Sequence, residues 1–300
     1  MTEADFHRAL RALPLHPCAR GLMDDAAVLG PFVLTTDTLV EGVHFLSTDP
    51  AADVAWKLVA VSLSDLAAKG ARPEGVLLNY PLSDEAWDRS FLAGLADVLA
   101  TYAVPLLGGD TVSLPPSAPR ILTVTAIGAD APAPPRSGAR AGDSLWMTGT
   151  VGAAGAGLRI ARGEPGPAEL LAAYRRPRPR LAEGRALAPG VHAMSDISDG
   201  LLIDAARMAA ASDLAVTVAI DDIPLSPASL AFGLDPIAAA TAGDDYELLF
   251  AAPAGWSPPP IAGSIPATRI GSFTPGTGLT LTRNGAALAL PPRLGFQHGS

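Results

Sequence analysis

The stretch PFVLTTDTLVEGVHFLSTDPAADVAWKLVAVSLSDLAAKGA, residues 31–71, decides the fold. Phe32–Asp37 is an apolar and β-branched run that ends in polar residues, and it reads as a strand. Asp49-Pro50 has the form of a helix start, with Asp as N-cap and Pro at the first helical position. The helix is expected to run to about Lys69, with Val54, Leu58, Val61 and Leu66 on or near one stripe, and to stop at Gly70.

Working outward, residues 85–102 read as a second helix. Val104–Leu107 reads as a short buried strand that leads into Gly108-Gly109-Asp110-Thr111. Residues 120–127 alternate and are rich in β-branched side chains, which predicts a strand. Ala129–Ala141 is rich in Pro, Ala and Gly, lacks periodicity and marks a domain boundary. Beyond it, strands are expected at Ser144–Thr148, Val191–Met194, Leu214–Ile220 and Tyr246–Ala251. Helices are expected at 152–162, 181–188 and 200–211, whereas the segment from about Trp256 carries little signal. Strands alternate with helices in both halves, so the expectation is an α/β (α+β) protein of two domains, residues 1–135 and 136–300.

The chain has 300 residues, 21 Lys+Arg against 30 Asp+Glu and a net charge of −9, which argues against nucleic acid or an anionic membrane as partner. Apolar residues make up 49%, enough for folded cores. Lysine occurs only as Lys57 and Lys69, and the single Cys18 excludes an intrachain disulfide or a cysteine-cluster metal site. An acidic N-terminus without an apolar run, and no long uncharged apolar stretch elsewhere, predict a cytoplasmic protein without a membrane span.

The acidic residues stand at strand ends and loops beside Gly, Ser or Thr: Asp24-Asp25, Asp37, Asp65, Asp110, Asp196, Asp199 and Asp244-Asp245. Sites in α/β proteins assemble at such edges. Carboxylates gathered there repel one another unless protons or cations compensate them. Oxygen-only donors suit Mg²⁺, Mn²⁺ or Ca²⁺ rather than zinc. Any one of these residues could instead cap a helix or make an Asx-turn, the role assigned to Asp49 and Asp204. No Walker A loop and no kinase-type Gly-rich loop is present, so a nucleotide would be held by metals and backbone amides. Gly108-Gly109 would permit close backbone approach to a phosphate.

With these residues in view, the chain resembles the thiamine-monophosphate kinase family of the aminoimidazole-ribonucleotide-synthetase-like superfamily. The resemblance rests on DDAA at 24–27, TTDTLVEGVHF at 35–45, LSDLAAKGA at 63–71, GGDT at 108–111, SDISDG at 195–200 and GDDYELLF at 243–250, with GFQH at 295–298 similar to an aromatic C-terminal motif. It implies an N-terminal mixed-sheet ATP-binding domain, a C-terminal α/β domain that completes the site, and a homodimer. It implies direct in-line transfer of the γ-phosphoryl group of ATP to thiamine monophosphate, with several Mg²⁺ ions and no phosphoenzyme. Asp25, Thr35, Thr36, Asp37, Asp65, Asp110, Asp196 and Asp199 fall on metal positions. Gly109, Asp110, Arg136 and Ser198 fall on ATP positions, and His44, Glu247 and Phe296 on substrate positions.

Three features depart from the family pattern. Met23 precedes the Asp pair where glycine is usual, GFQH ends in Gly-Ser, and Lys69 replaces an apolar residue, where it is expected on the solvent face. Two other readings stand beside this one. The first is another ATP-using member of the superfamily, of the aminoimidazole ribonucleotide synthetase or selenophosphate synthetase type. The second is a non-enzymatic protein whose carboxylates bind cations for stability alone.

Overall fold

The computed structural model describes residues 3–115, 117–260 and 265–298. Two sheets form, one on each side of the 129–141 linker. The first is five-stranded, in the order β1 (Ala27–Leu29), β2 (Phe32–Val40), β5 (Ile121–Ala129), β3 (Arg72–Leu82) and β4 (Leu106–Ser113). Only β3 and β4 pair in parallel. After a short N-terminal helix α1 (Glu3–Arg11), the helices of this half are α2 (Ala51–Ala68) and α3 (Glu85–Thr101).

The second sheet is seven-stranded. Its order is β12 (Ala286–Leu288), β11 (Gly278–Arg283), β8 (Leu214–Ala219), β10 (Ala267–Pro275), β6 (Ser144–Thr148), β9 (Leu248–Ala252) and β7 (Ala193–Asp196). Its helices are α4 (Ala153–Ala161), α5 (Ala168–Arg175), α6 (Leu181–Leu187), α7 (Leu201–Ala211), α8 (Pro227–Ala231) and α9 (Pro236–Thr241). The architecture is mixed α/β with mixed sheets in both halves, as the alternation of elements predicts.

Helix α2 holds the halves together. Leu58, Leu63 and Leu66 are fully buried, and burial extends around the whole cylinder. A helix apolar on every side belongs inside a protein. It packs on β2, β3 and β5, on α3, and also on α6, β7 and β9 of the other half. Ala67 and Ala68 share a core with Leu187, Ala188, Met194, Leu248, Phe250 and Ala252, so one hydrophobic cluster spans the seam.

Several local expectations change. The N-cap of α2 is Pro50, without a side-chain cap bond. Asp49 is buried and accepts from the Leu46 amide at 2.8 Å, the Tyr174 hydroxyl at 2.9 Å and Arg175 Nε at 3.0 Å. It fastens the start of α2 to α5 rather than capping the helix. Gly108-Gly109-Asp110-Thr111 lies within β4, not after a strand. The weak C-terminal segment supplies β10 in the middle of the second sheet. Ile270, Phe273 and Leu281 are the fully buried apolar positions of β10 and β11, too sparse a pattern to read as a strand signal.

Helix α6 approaches α2 through Gly184, where an added methyl carbon would lie 2.0 Å from the Ala67 carbonyl oxygen. Replacing Gly184 by Val therefore forces α6 off α2. Overpacking of this kind costs about 1–3 kcal/mol. The expected result is a lower urea midpoint with the slope kept, and an unchanged midpoint would show that the two helices give way freely.

Candidate active site

The floor of the cleft between the halves is acidic. Asp25 comes from the turn before β1, Asp37 from β2, Asp65 from α2 and Asp196 from the end of β7. Carboxylate oxygens of Asp25, Asp65 and Asp196 all lie within 4.8 Å of one another. Neighbouring hydroxyls hold the others in place. Ser62 donates to Asp37 at 2.8 Å, Ser64 to Asp196 at 2.6 Å, and Thr35 to Asp65.

Burial pushes Asp65 well above the usual carboxylate range, and repulsion from Asp37, Asp196 and Asp25 adds to it. Asp196 is raised by burial and then by Asp25, and Asp37 chiefly by burial. Asp25 goes the other way. Burial alone would raise it, but Arg136 and Lys69 outweigh burial and hold it below the ordinary range. Every ligand atom on this floor is an oxygen, and among the described residues Asp37, Asp65 and Asp196 make no ion pair, so a hard divalent ion such as Mg²⁺ fits the residues present.

Lys69 is not on the solvent face. It is fully buried, 2.5 Å from Asp24 Oδ1 and 2.8 Å from Asp25 Oδ2, and it makes no ion pair with Asp65 among the described residues. Arg136, from the linker, pairs with Asp25.

A cavity of about 740 Å³ opens beside this floor. It is lined by Asp37, His44, Ser198, Asp199, Asp244 and Phe296, among others. His44 Nδ1 accepts the Val40 amide at 3.0 Å, which leaves Nε2 as the donor. Burial and then nearby His298 lower its pKa. Phe296 is brought here because its amide donates to the Asp199 carbonyl at 2.9 Å. Its ring stands 4.9 Å from that of His298, which stands 5.3 Å from His44. Asp199 pairs with Arg207 at 2.5 Å. Asp204 accepts the amides of Ser198, Asp199 and Gly200, so it fixes the SDISDG loop as a structural residue, and burial raises it to about 6.

Not every site residue expected from the sequence meets in one chain. The Thr36 hydroxyl lies on the sheet face opposite Asp37, against Thr125. Asp110 is registered with Asn79, Thr123 and Thr38, three strand spacings from β2, or about 14 Å. Gly109 has a reason inside the sheet: at φ +149° an added Cβ would fall 1.7 Å from the Leu78 carbonyl oxygen. Glu247 is buried, with Arg180 at 2.6 and 2.8 Å and Thr148 at 2.7 Å. It lines a second cavity of about 700 Å³ with Trp56, Tyr102 and Arg180, and the two cavities share Asp244.

Some residues at this site escape the sequence reading. Lys57, buried in α2, reaches Asp244 Oδ2 at 2.7 Å and the His44 carbonyl at 3.0 Å, under the Tyr174 ring. Arg207 and Arg180 orient Asp199 and Glu247. The signal for Lys57 and Lys69 is their scarcity: they are the only lysines of the chain, one inside the mostly apolar α2 and the other at its C-cap. Asp244 and Tyr246 have φ of +72° and +51°, a strained turn where the Tyr246 hydroxyl meets Asp244 at 3.1 Å.

Comparison with known proteins identifies the family of the chain. The profile of AIR synthase related protein, N-terminal domain, matches residues 23–129, and that of its C-terminal domain matches residues 140–289. The chain is 38% identical to the thiamine-monophosphate kinase of Caulobacter vibrioides, over 99% of this chain and 91% of that one. It is also 38% identical to that of Escherichia coli, over 78% and 76%. Among solved structures, AaThiL complexed with AMPPCP and TMP superposes with a TM-score of 0.83 at 28% identity, covering 98% of this chain and 95% of that one. Thiamine-monophosphate kinase from Stenotrophomonas maltophilia gives 0.75 at 36%, covering 95% and 96%. The hydrogenase maturation protein HypE in complex with ATP, at 22% identity and a TM-score of 0.69, shares the fold alone. The chain thus belongs to the AIR synthase related family, and within it to the thiamine-monophosphate kinases.

Proposed function

We propose that this protein transfers the γ-phosphoryl group of ATP directly to the phosphate of thiamine monophosphate, giving thiamine diphosphate and ADP. The observation that carries the reading is the floor of the cleft, where Asp25, Asp37, Asp65 and Asp196 from both halves meet beside a cavity lined by His44 and Phe296. Attacker and donor are both anionic phosphates, so the demand on the protein is alignment and charge neutralisation rather than a covalent nucleophile. Asp25, Asp37, Asp65 and Asp196, with Thr35, would hold Mg²⁺, and Asp199 stands at the rim. When bound, Mg²⁺ supplies the positive charge that offsets the transferring phosphoryl group.

The residues of the chain do the positioning. Arg136 and the Ser198 loop sit where a nucleotide phosphate would meet the floor. His44 offers Nε2–H as a donor, and the exposed face of Phe296 suits a cationic or heteroaromatic ring. Glu247, fixed by Arg180, places a carboxylate behind Asp244 for the polar end of the organic group. In this reading residues 1–135 carry the metal and nucleotide motifs and residues 136–300 complete the site.

The same reading takes the protein as a cytoplasmic homodimer. No helix among the described residues is long and apolar enough to cross a membrane. Strand β4 is an exposed edge along its whole length, and Phe32, Leu77, Leu107, Val112 and Ile121 stand exposed on one face of the first sheet. Unpaired edges and apolar faces of this size seek a partner. A second copy there would cover Gly109 and Asp110, which accounts for site motifs that one chain leaves apart.

Purified protein given ATP, Mg²⁺ and thiamine monophosphate should form thiamine diphosphate and ADP, and EDTA should stop the reaction. Absence of product across Mg²⁺, Mn²⁺ and Ca²⁺ would overturn the assignment. Asp196→Asn and Asp65→Asn should each lower kcat by about 10²–10³-fold, matching a loss of several kcal/mol of charge stabilisation, with the circular dichroism spectrum kept. Light scattering should give a mass near twice 30.5 kDa. Val112→Asp should shift it toward one chain, and a wild-type monomer would remove the dimer.

A further inference from the structure

Lys69 ends α2 without any exposure to solvent, and nothing in the reaction described above uses it. Its ammonium has four oxygen neighbours: Asp24 Oδ1 at 2.5 Å, Asp25 Oδ2 at 2.8 Å, and the carbonyls of Met194 at 2.9 Å and Pro134 at 3.3 Å. These come from the loop before β1, from β7 and from the linker. Carboxylate and carbonyl oxygens converging on one buried point are the shell that a hard cation takes. Here the cation is attached to the chain. Arg20 and Arg136 also touch this pair of carboxylates, but each keeps about a fifth of its side chain in solvent.

The rest of the floor is built differently. Among the described residues, the side chains of Asp37, Asp65 and Asp196 accept hydrogen bonds only from the hydroxyls of Ser62, Thr35 and Ser64. One side of the cleft therefore carries its own ion pairs, while the other has none among the described residues.

We propose that Lys69 is a tethered cation, supplying at Asp24 and Asp25 the charge that elsewhere in the cleft comes from divalent ions. The inference rests on the reading of the cleft as a divalent-cation site. It means that the charge of Asp24 and Asp25 is compensated before metal arrives, so that added Mg²⁺ offsets chiefly the charge of Asp37, Asp65 and Asp196 while Asp25 remains one of its ligands. It also gives Lys69 a second effect, because Met194 and Pro134 belong to the other half and its linker, so the ammonium fastens the seam.

The test is thermal unfolding of the full chain in EDTA and in Mg²⁺, wild type beside Lys69→Met. Removing one partner of a buried charge cluster should lower the midpoint in EDTA by roughly 5–10 °C, the remaining arginines limiting the loss. Mg²⁺ should then raise the variant more than it raises the wild type, because the vacated oxygens accept an ion. Titration with Mn²⁺ alone should find one more equivalent bound per chain in Lys69→Met. A variant that unfolds like the wild type in EDTA, or an identical response of both to Mg²⁺ and Mn²⁺, would overturn the proposal. Should Lys69→Met not fold, the double variant Asp24→Asn/Lys69→Met decides: recovery of folding supports a charge role, and failure refutes it. None of these readouts involves phosphoryl transfer, so a negative kinase assay and a negative result here are separate findings.

Discussion

Carboxylates buried at a seam between two sheets dictate much of this structure. Asp25, Asp37, Asp65 and Asp196 are removed from water and crowded together, which is unfavourable unless charge or hydrogen bonds compensate. Each is met by a donor from a different element. The elements that bring those donors, α2, β2 and the linker, are held in place by the need. Beside the packing of α2 on α6, the Ser64 bond to Asp196 and the Lys69 bond to the Met194 carbonyl tie the helix to β7 at fixed positions.

Helix α2 is accordingly two things at once. Its leucines and alanines fill cores on both sides, and most of its few polar residues serve the site, Asp53 with its Arg176 pair being the exception. Ser62, Ser64 and Lys69 are buried and each is matched to an acceptor, as Lys57 is to Asp244 and the His44 carbonyl. Lys57 ties the turn of Asp244 and Tyr246 to the loop of His44, two loops that line one cavity from opposite halves. The organic pocket and the acidic floor are therefore coupled through a single rod.

Much of this was legible in the sequence. The strand from Phe32, which runs on past Asp37 to Val40, and the long helix after it follow from local pattern, and a gathering of aspartates follows from their places at strand ends, whereas the choice of Asp25, Asp65 and Asp196 among them needs the family resemblance. What was not legible depends on distant partners. Asp49 beside Pro50 has the form of a cap, yet Tyr174 and Arg175 outcompete the helix amides for it. Lys69 at the end of an amphipathic-looking stretch reads as a solvent residue, because nothing local announces that Met194 and Asp24 will surround it. The strand β10 has too few buried side chains to show a period, since its place in the sheet is set by neighbours on both sides. Gly109 looks like a phosphate loop, whereas its immediate constraint is the Leu78 carbonyl.

The reach of Lys69 across the sequence has a consequence for synthesis. Pro134 lies 65 residues downstream of it and Met194 lies 125 downstream. At a translation speed of about 5–20 residues per second, the second carbonyl is made roughly 6–25 s after the lysine. In the second half of that interval, once β5 has been made, a growing chain has the first sheet and α2 but lacks the surface that covers the far side of the helix. The first half emerges with an apolar flank and an unfinished cage of oxygens, and its final form waits on the ribosome reaching β7.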